Sequence, residues 1–189
     1  MKKLVYILFV VLIIFGVVYF IRKGKSEVIT SNKTLVAYFS ATGNTKSVAE
    51  KLAKAIDADL FEIVPEQIYT VDDLNWRNDK SRSSVEMSDK NSRPKIVTKI
   101  ENFAQYKFVF VGFPIWWGRE PAIVNTFIDS YNFDGKTIIP FATSGSTPNT
   151  DEAAANIQAL VPSAKVLTGK RFSIDVSESE LKIWADEQM

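Results

Sequence analysis

Residues 40–45, Ser-Ala-Thr-Gly-Asn-Thr, form a hydroxyl-rich loop that contains a single glycine. The preceding residues 35–39 are apolar, with a β-branched residue and two aromatic ones, which indicates a buried strand. From residue 46 onward, apolar residues recur at helical spacing, so the loop ends at the N-terminus of a helix. The free N–H groups and the positive dipole end of that helix favour an anion.

The loop differs from two common phosphate-binding motifs. It lacks the lysine of a Walker A loop, and it has only Gly43 where a dinucleotide fingerprint has three glycines. One glycine surrounded by Ser40, Thr42 and Thr45 suits a single terminal phosphate. The alternative is an ordinary strand-to-helix turn in which Thr45 caps the helix.

A second loop carries two adjacent indoles. It follows the continuous apolar strand predicted at residues 108–112 and consists of Pro114, Ile115, Trp116, Trp117 and Gly118. Indoles at a ligand-binding edge stack on flat π-systems, and we expect at least one of the two to face a ligand. The alternative is that one indole belongs to the core and the other covers a helix end.

A third loop, Thr-Ser-Gly-Ser-Thr-Pro at residues 143–148, follows the strand predicted at 136–143. It offers hydroxyls and flexible amides that suit hydrogen bonds to a ligand. The alternative is a glycine turn before a helix that Thr150 caps.

The elements between these loops alternate between strand and helix, which predicts an α/β fold with a five-stranded parallel sheet and helices on both faces. Right-handed crossovers then bring the three loops to the carboxyl edge of the sheet, where ligands bind. The predicted strands lie at 35–39, 59–64, 108–112, 136–143 and 165–172, and the later helices at 95–103, 121–128, 150–160 and 177–186.

Residues 66–94 are too long for a plain loop between a strand and a helix. Residues 72–76 are a candidate start of a short helix within this excursion, with an aspartate as its cap. Two interpretations stay open: a solvated excursion with a few anchors, or a flap over the ligand site with Trp76 or Arg82 near the ligand.

The composition excludes several kinds of chemistry. The 189 residues include no cysteine and no histidine, so disulfides, thiolate nucleophiles, Ser-His-Asp triads and the usual zinc sites are excluded. The carboxylates form no cluster that indicates a metal site, and no residue stands out as catalytic. Redox chemistry would therefore depend on a bound cofactor.

The N-terminus predicts a membrane anchor. Residues 4–21 contain no charge and are flanked by basic residues on both sides. As a helix they would span about 27 Å, close to the hydrocarbon thickness of a bilayer. No convincing cleavage site follows, so we expect an uncleaved single-pass anchor in the cell membrane rather than a signal peptide. The basic residues on the two sides balance, which leaves the side of the soluble domain undecided.

The predicted division is therefore an anchor and linker at residues 1–30 and one domain at residues 31–189. Residues 1–30 hold five of the 23 basic residues and one of the 22 acidic residues, which leaves the domain with a net charge of −3. This balance excludes a nucleic-acid-binding footprint.

The three loops together resemble those of the flavodoxin-like FMN-binding family, in a branch whose second loop reads Pro-Ile-Trp-Trp-Gly. That branch also has counterparts of Asp73–Trp76 and Ser81–Ser83 in its excursion. The resemblance covers residues 33–189 and implies strand order 2-1-3-4-5. It implies that the phosphate of FMN is held by Ser40, Thr42, Gly43, Asn44 and Thr45. It implies that Pro114, Ile115, Trp116, Trp117 and Gly118 flank the isoalloxazine, and that its other edge is lined by Thr143, Ser144, Gly145 and Ser146.

Three functions follow as hypotheses. The first is a membrane-tethered FMN protein that transfers electrons to a redox partner protein or a small-molecule acceptor. The second is an NAD(P)H-dependent reductase that acts on a quinone or similar acceptor. The third is a non-enzymatic FMN-binding module, since the fold alone does not determine the function. A phospho-acceptor receiver domain is rejected, because Gly112 and Phe113 stand where it needs an aspartate.

Overall fold

The computed structural model describes residues 32–144 and 150–189. The predicted membrane helix, and Gly145 and Ser146 of the third loop, lie outside the described residues. In the part of the chain that the structure describes, no helix is long and apolar enough to cross a membrane.

The described residues build a parallel sheet with helices on both faces. The strands are β1 (Lys33–Tyr38), β2 (Asp59–Glu62), β3 (Tyr106–Pro114), β4 (Thr137–Thr143), β5 (Lys165–Val166) and β6 (Lys170–Phe172). The helices are α1 (Asn44–Ala55), α2 (Arg82–Ser88), α3 (Ala122–Asp129), α4 (Asp151–Leu160) and α5 (Glu178–Asp186), with one 3₁₀ turn at Phe103–Gln105.

The sheet follows the order β2-β1-β3-β4-β5, and β6 also pairs with β4. The predicted order 2-1-3-4-5 is therefore confirmed. The fifth position holds two short strands instead of the single predicted strand at 165–172. The register explains the break: β4 pairs with β5 up to Ile138 and with β6 from Phe141, and Pro140 between them has no amide hydrogen to donate.

Side chains alternate between the two faces of the central strands and build two cores. On β3, Val109, Val111 and Phe113 face one core, while Phe110 faces the other. The first core includes buried residues of α3 and α4, and the second those of α1 and α5. Both faces of β1 and β3 are therefore covered, which accounts for their continuous apolar sequences.

The helix predicted at residues 95–103 is wrong. The first part of this segment pairs with residues 64 and 65 instead: Ile96 forms an antiparallel bridge with Pro65, and Val97 N–H donates to the Val64 carbonyl at 3.0 Å. The Thr98 hydroxyl also donates to the Glu62 carbonyl at 2.9 Å. β-Branched residues favour this extended pairing over an isolated helical turn.

The excursion contains its helix later than predicted. Asp73 closes a turn instead of capping a helix, because its carboxylate accepts from the Thr70 N–H and hydroxyl at 2.9 and 2.8 Å. These bonds lower the pKa of the Asp73 carboxyl. Helix α2 begins only at Arg82, where the Ser81 side chain accepts from the Ser84 N–H as the N-cap.

Candidate functional site

Two adjoining cavities lie at the carboxyl edge of the sheet. The first, of about 530 Å³, brings the first two predicted loops together with the excursion. Its described lining is Ala41, Thr42, Leu74, Trp76, Ser83, Pro114, Ile115, Trp116, Trp117, Gly118 and Ser144.

The second cavity, of about 490 Å³, extends toward the end of β6. Its described lining is Thr42, Asn44, Pro114, Ile115, Trp116, Thr143, Ser144, Arg171, Phe172, Ser173 and Ile174. Five residues line both cavities, so we treat the two as parts of one cleft: Thr42, Pro114, Ile115, Trp116 and Ser144.

The first predicted loop presents the N-terminus of α1 to this cleft. Gly43 is the N-cap residue and has φ of 90°, a left-handed conformation that glycine adopts without steric cost. Its N–H donates to the Ser40 hydroxyl at 3.1 Å, which closes the loop. A Cβ built on Gly43 would meet no atom of the described residues within 4 Å, so these residues leave open space in front of the loop. The first-turn N–H groups of α1 have no intrahelical acceptors and form an anion-binding end.

Thr45 does not cap the helix, contrary to the alternative considered above. It lies inside α1, it is 1% exposed, and its hydroxyl lies 2.8 Å from that of Thr143. This contact ties the first loop to the end of β4, where the third loop begins. Thr42 and Asn44 are exposed beside it and line the cleft directly.

The second loop is a tight hairpin turn. Trp116 and Arg119 exchange both backbone hydrogen bonds, at 2.9 and 3.0 Å. The central residues Trp117 and Gly118 both have positive φ, at 46° and 85°, as in a type I′ turn. A left-handed conformation costs a non-glycine residue about 1 kcal/mol. The turn thus holds the Trp117 indole at its tip in spite of backbone strain.

The two indoles have different environments. Trp116 packs edge-on against Phe39 and Tyr69, with ring centroids 5.6 and 5.4 Å apart. Trp117 is 49% exposed and also lines the first cavity. Trp116 therefore forms part of a fixed wall, whereas Trp117 is a half-exposed residue of the same cavity lining.

The excursion contributes a wall of the first cavity through Leu74, Trp76 and Ser83. Trp76 is 65% exposed, and this part of the excursion agrees with the flap interpretation. Arg82 does not reach the cavity. It donates to Glu86 at 2.7 Å, and its guanidinium lies 4.0 Å from the centroid of the Tyr69 ring.

Tyr69 connects that part of the excursion to the second loop, which contains Trp116. Its hydroxyl donates to the Glu86 carboxylate at 2.5 Å. Burial, followed by this hydrogen bond, raises the pKa of the Tyr69 phenol well above its usual range. The tyrosine thus stays protonated and keeps α2 attached to the aromatic cluster.

Arg171 is a cleft residue that the sequence reasoning missed. Its Nη1 donates to the Ser144 carbonyl at 2.8 Å, and its buried Nε has no hydrogen-bond partner among residues 32–144 and 150–189. Its position near the end of the last predicted strand, at the ligand-binding edge of the sheet, could have indicated that Arg171 lies in the cleft. It adds one positive charge to a cleft whose first loop has none.

A buried polar cluster lies behind the tryptophan turn. The Glu120 carboxylate is fully buried, lies 3.6 Å from the Arg119 guanidinium and accepts from Asn156 Nδ2 at 3.2 Å. Arg119 Nη2 donates to the Met87 carbonyl at 2.9 Å, which joins the turn to α2. Burial raises the pKa of the Glu120 carboxyl, although the hydrogen bonds and the arginine oppose that shift.

The predicted site residues in the described part of the chain thus have distinct placements. The cleft lining includes Thr42, Asn44, Pro114, Ile115, Trp116, Trp117, Gly118, Thr143 and Ser144. Ser40 and Gly43 shape the first loop, and Thr45 lies behind it. Gly145 and Ser146 belong to the undescribed part of the third loop.

Known proteins share this architecture. The profile of a family described as flavodoxin matches residues 33–188. A protein from Bacteroides eggerthii, named provisionally as a flavoprotein, is 45% identical over 82% of this chain and 97% of its own, with a TM-score of 0.78. A second, from Bacteroides uniformis and under the same provisional name, is 46% identical over 82% of this chain and 99% of its own, with a TM-score of 0.78.

A flavoprotein from Lactobacillus acidophilus, whose crystal structure is a complex with FMN, is similar in fold. It is 24% identical over 82% of this chain and 99% of its own, with a TM-score of 0.64. The comparison with curated proteins found no match. The family profile spans most of the chain, and two relatives exceed 40% identity across nearly their whole length. The chain belongs to the flavodoxin family.

Proposed function

We propose that this protein binds FMN in the cleft and acts in electron transfer, with residues 1–30 holding it at a membrane. The observation that carries the proposal is the convergence of an open helix N-terminus and an exposed indole on one cleft. FMN has a phosphate at one end and a flat ring at the other. The two ends of the described cleft offer matching chemistry.

The phosphate would lie at the N-terminus of α1. The open space before Gly43 would admit it, and the first-turn N–H groups and the Thr42 hydroxyl would donate hydrogen bonds to it. Arg171 lines the same cavity and adds a positive charge to it. These residues fit a dianionic group on both charge and hydrogen bonding.

The ring would lie beside the tryptophan turn. Trp117 offers its half-exposed ring for stacking, and Trp116 with Ile115 gives an apolar wall that excludes water. Bound FMN would supply the redox chemistry by accepting and releasing one or two electrons. The protein would supply placement and a low-dielectric surrounding that adjusts the potentials.

The reductase hypothesis is the second candidate, and the open first cavity favours it. Leu74 and Trp76 of the excursion line this cavity of about 530 Å³ together with Trp116 and Trp117, which gives it a wall besides the two tryptophans of the turn. A carrier that acts only on protein partners does not require such a space.

One preparation distinguishes these functions. The full chain, purified in detergent, is mixed with FMN and freed of unbound flavin by gel filtration. An electron-transfer protein retains flavin absorbance and is bleached by photoreduction but not within minutes by NADH or NADPH without air. Rapid bleaching by a nicotinamide supports the reductase. A colourless protein contradicts both functions.

The membrane part of the proposal depends on the uncharged residues 4–21. Protease treatment of intact and opened cells tests it, because an anchored domain stays with the membrane fraction and is cleaved on only one side. Recovery of the full-length chain in the soluble fraction would contradict the tether.

A further inference from the structure

We propose that a separate polar cavity behind the tryptophan turn binds a small zwitterion of the free α-amino acid class. The cavity measures about 200 Å³ and is lined from the end of the turn, the segment after α2, and helices α3 and α4. It shares no described lining residue with the cleft in which we place FMN. The inference therefore goes beyond the proposed function and does not depend on FMN binding.

The lining of this cavity differs in character from that of the cleft. Seven of its nine described lining residues carry a charged or an amide side chain, and Ala159 and Leu160 are the two exceptions. By contrast, none of the described residues that line the first cavity of the cleft is charged. The volume is also below the range of about 300–1,000 Å³ that takes a drug-sized ligand. The cavity therefore suits a small and polar molecule.

Buried polar side chains form part of the lining. Glu120 is fully buried, and Arg119 and Asn125 are 9% and 5% exposed. The Glu120 carboxylate accepts from Asn156 Nδ2 at 3.2 Å. The Asn125 Oδ1 has no hydrogen-bond partner in the described part of the chain. Because buried amide oxygens normally accept a hydrogen bond, this wall lacks a donor, which an ammonium group seated against it would supply.

Two opposite charges of the lining, Lys90 and Glu152, form no ion pair with another described residue. The other two basic residues of the lining each lie within ion-pair distance of a carboxylate, at 2.5 and 3.6 Å. Lys90 and Glu152 are both exposed. Glu152 is also one helical turn before Asn156 on α4, so the two share a face of that helix. The cavity therefore offers one uncompensated charge of each sign.

A zwitterion fits this lining better than a simple ion does. A lone anion would lie near Glu120 and Glu152, and a metal ion would lie near Lys90 and Arg119. Among the described residues, no group of three or more acidic side chains could hold a metal ion. A free amino acid carries an ammonium and a carboxylate on one carbon. Its ammonium would bind at Asn125 and Glu152, and its carboxylate at Lys90 and Arg119.

The cavity adjoins the tryptophan turn. Arg119 and Glu120 directly follow Gly118 in the chain, and both line the cavity. Glu152 Oε2 lies 3.6 Å from the position that a Cβ on Gly118 would take. A bound amino acid would therefore connect the end of the turn with α4 and with the segment after α2.

The test is ligand-observed NMR with the full chain in detergent and without FMN. Glycine is the zwitterion, and acetate and methylammonium are its anionic and cationic halves. We expect saturable binding of glycine, with a Kd at least about tenfold lower than that of either half.

Variants of the two exposed charges locate the site. Lys90→Gln and Glu152→Gln should each raise the Kd for glycine about fivefold, because each removes one charge-assisted contact. The matched controls are Lys80→Gln and Glu50→Gln, which change exposed residues that do not line this cavity and should leave the Kd unchanged.

Four results would overturn the inference. Acetate that binds as tightly as glycine would show a simple anion site, and methylammonium that does so would show a simple cation site. An unchanged Kd in both Lys90→Gln and Glu152→Gln would place the glycine elsewhere. Absence of saturation with glycine would show that the cavity holds only solvent. Because the titration contains no FMN, these results are separate from those that test the proposed function.

Discussion

The hydroxyls of Thr45 and Thr143 lie 2.8 Å apart in the interior, at the point where the first loop meets the end of β4. Thr45 lies 1% exposed and Thr143 5% exposed, so neither hydroxyl has ready access to water. The bond fixes the spacing between the helix N-terminus and the strand that leads into the third loop. The geometry of the cleft thus depends on a pair of side chains behind it.

Removing both hydroxyls of this pair should cost less than the sum of the two single removals. Thr45→Val or Thr143→Val leaves the other hydroxyl buried and unpaired, and should lower the free energy of unfolding by about 1–3 kcal/mol. The double variant should lose less than the sum of the two, because no unpaired hydroxyl remains. Urea unfolding of the four proteins measures this, and strict additivity would show that the pair is not coupled.

Substitution of Trp116 should mainly lower stability, whereas substitution of Trp117 should mainly weaken FMN binding. Trp116→Ala removes contacts with Phe39 and Tyr69 and should lower the free energy of unfolding by about 2 kcal/mol. Trp117→Ala should change it by less than about 0.5 kcal/mol, because the side chain is largely exposed. The same Trp117 variant should bind FMN with about 1 kcal/mol less affinity. Thermal unfolding and flavin titration test both variants, and the opposite pattern would contradict the assigned environments.

Glu120 should make stability fall as the pH rises. Burial raises the pKa of the Glu120 carboxyl in the folded protein above the ordinary value of 4.5. At a pH between the ordinary pKa and the raised pKa, the folded protein keeps a proton that the unfolded chain releases. Stability therefore decreases with pH across this window. Glu120→Gln should remove that slope, so the variant gains stability relative to wild type as the pH rises above 4.5. Urea unfolding from about pH 4 to 8 gives the two curves, and parallel curves would contradict the prediction.

Gly112 should tolerate no side chain while Phe141 is present. A Cβ at residue 112 would lie 2.2 Å from Cζ of the Phe141 ring, on the neighbouring strand. Gly112→Ala should therefore lower the free energy of unfolding by about 1–3 kcal/mol. In the Phe141→Leu background, Gly112→Ala should lower the free energy of unfolding by less than it does in the wild-type protein. Equal effects of Gly112→Ala in both backgrounds would show that the clash is not with this ring.

The sequence predicted the elements whose signal is local. A continuous apolar run marks β1 and β3, and 3.6-residue spacing marks α1. The alternation of elements predicted a parallel sheet, and the resemblance to the flavodoxin-like family implied its strand order. The helix predicted at 95–103 is wrong because residues 95–97 pair with residues 64–66, which lie about thirty residues earlier in the chain. The break between β5 and β6 depends on Pro140 of another strand. Neither partner can be identified from the segment itself.

The residues of the cleft also divide into those with a local sequence signal and those whose place depends on distant parts of the chain. The first two loops were predicted because each is a contiguous motif at the end of a strand. Trp76 was one of two excursion residues expected near the ligand, and only the tertiary fold shows that it lines the cavity. Arg171 lies outside the three loops in sequence, so its contact with Ser144 depends on the fold. Glu120 lies two residues after the second loop, but its full burial was not apparent from its neighbours in sequence.

The central claim is that the cleft binds FMN through the N-terminus of α1. The direct measurement is titration of FMN with the full chain in detergent, followed by quenching of flavin fluorescence. The account predicts saturable binding of one FMN per chain, and a loss of about 1–3 kcal/mol in Thr42→Ala. Thr168→Ala, which alters an exposed threonine outside the cleft, should bind as wild type does. Absence of saturable quenching, or equal affinity in all three proteins, would contradict the account.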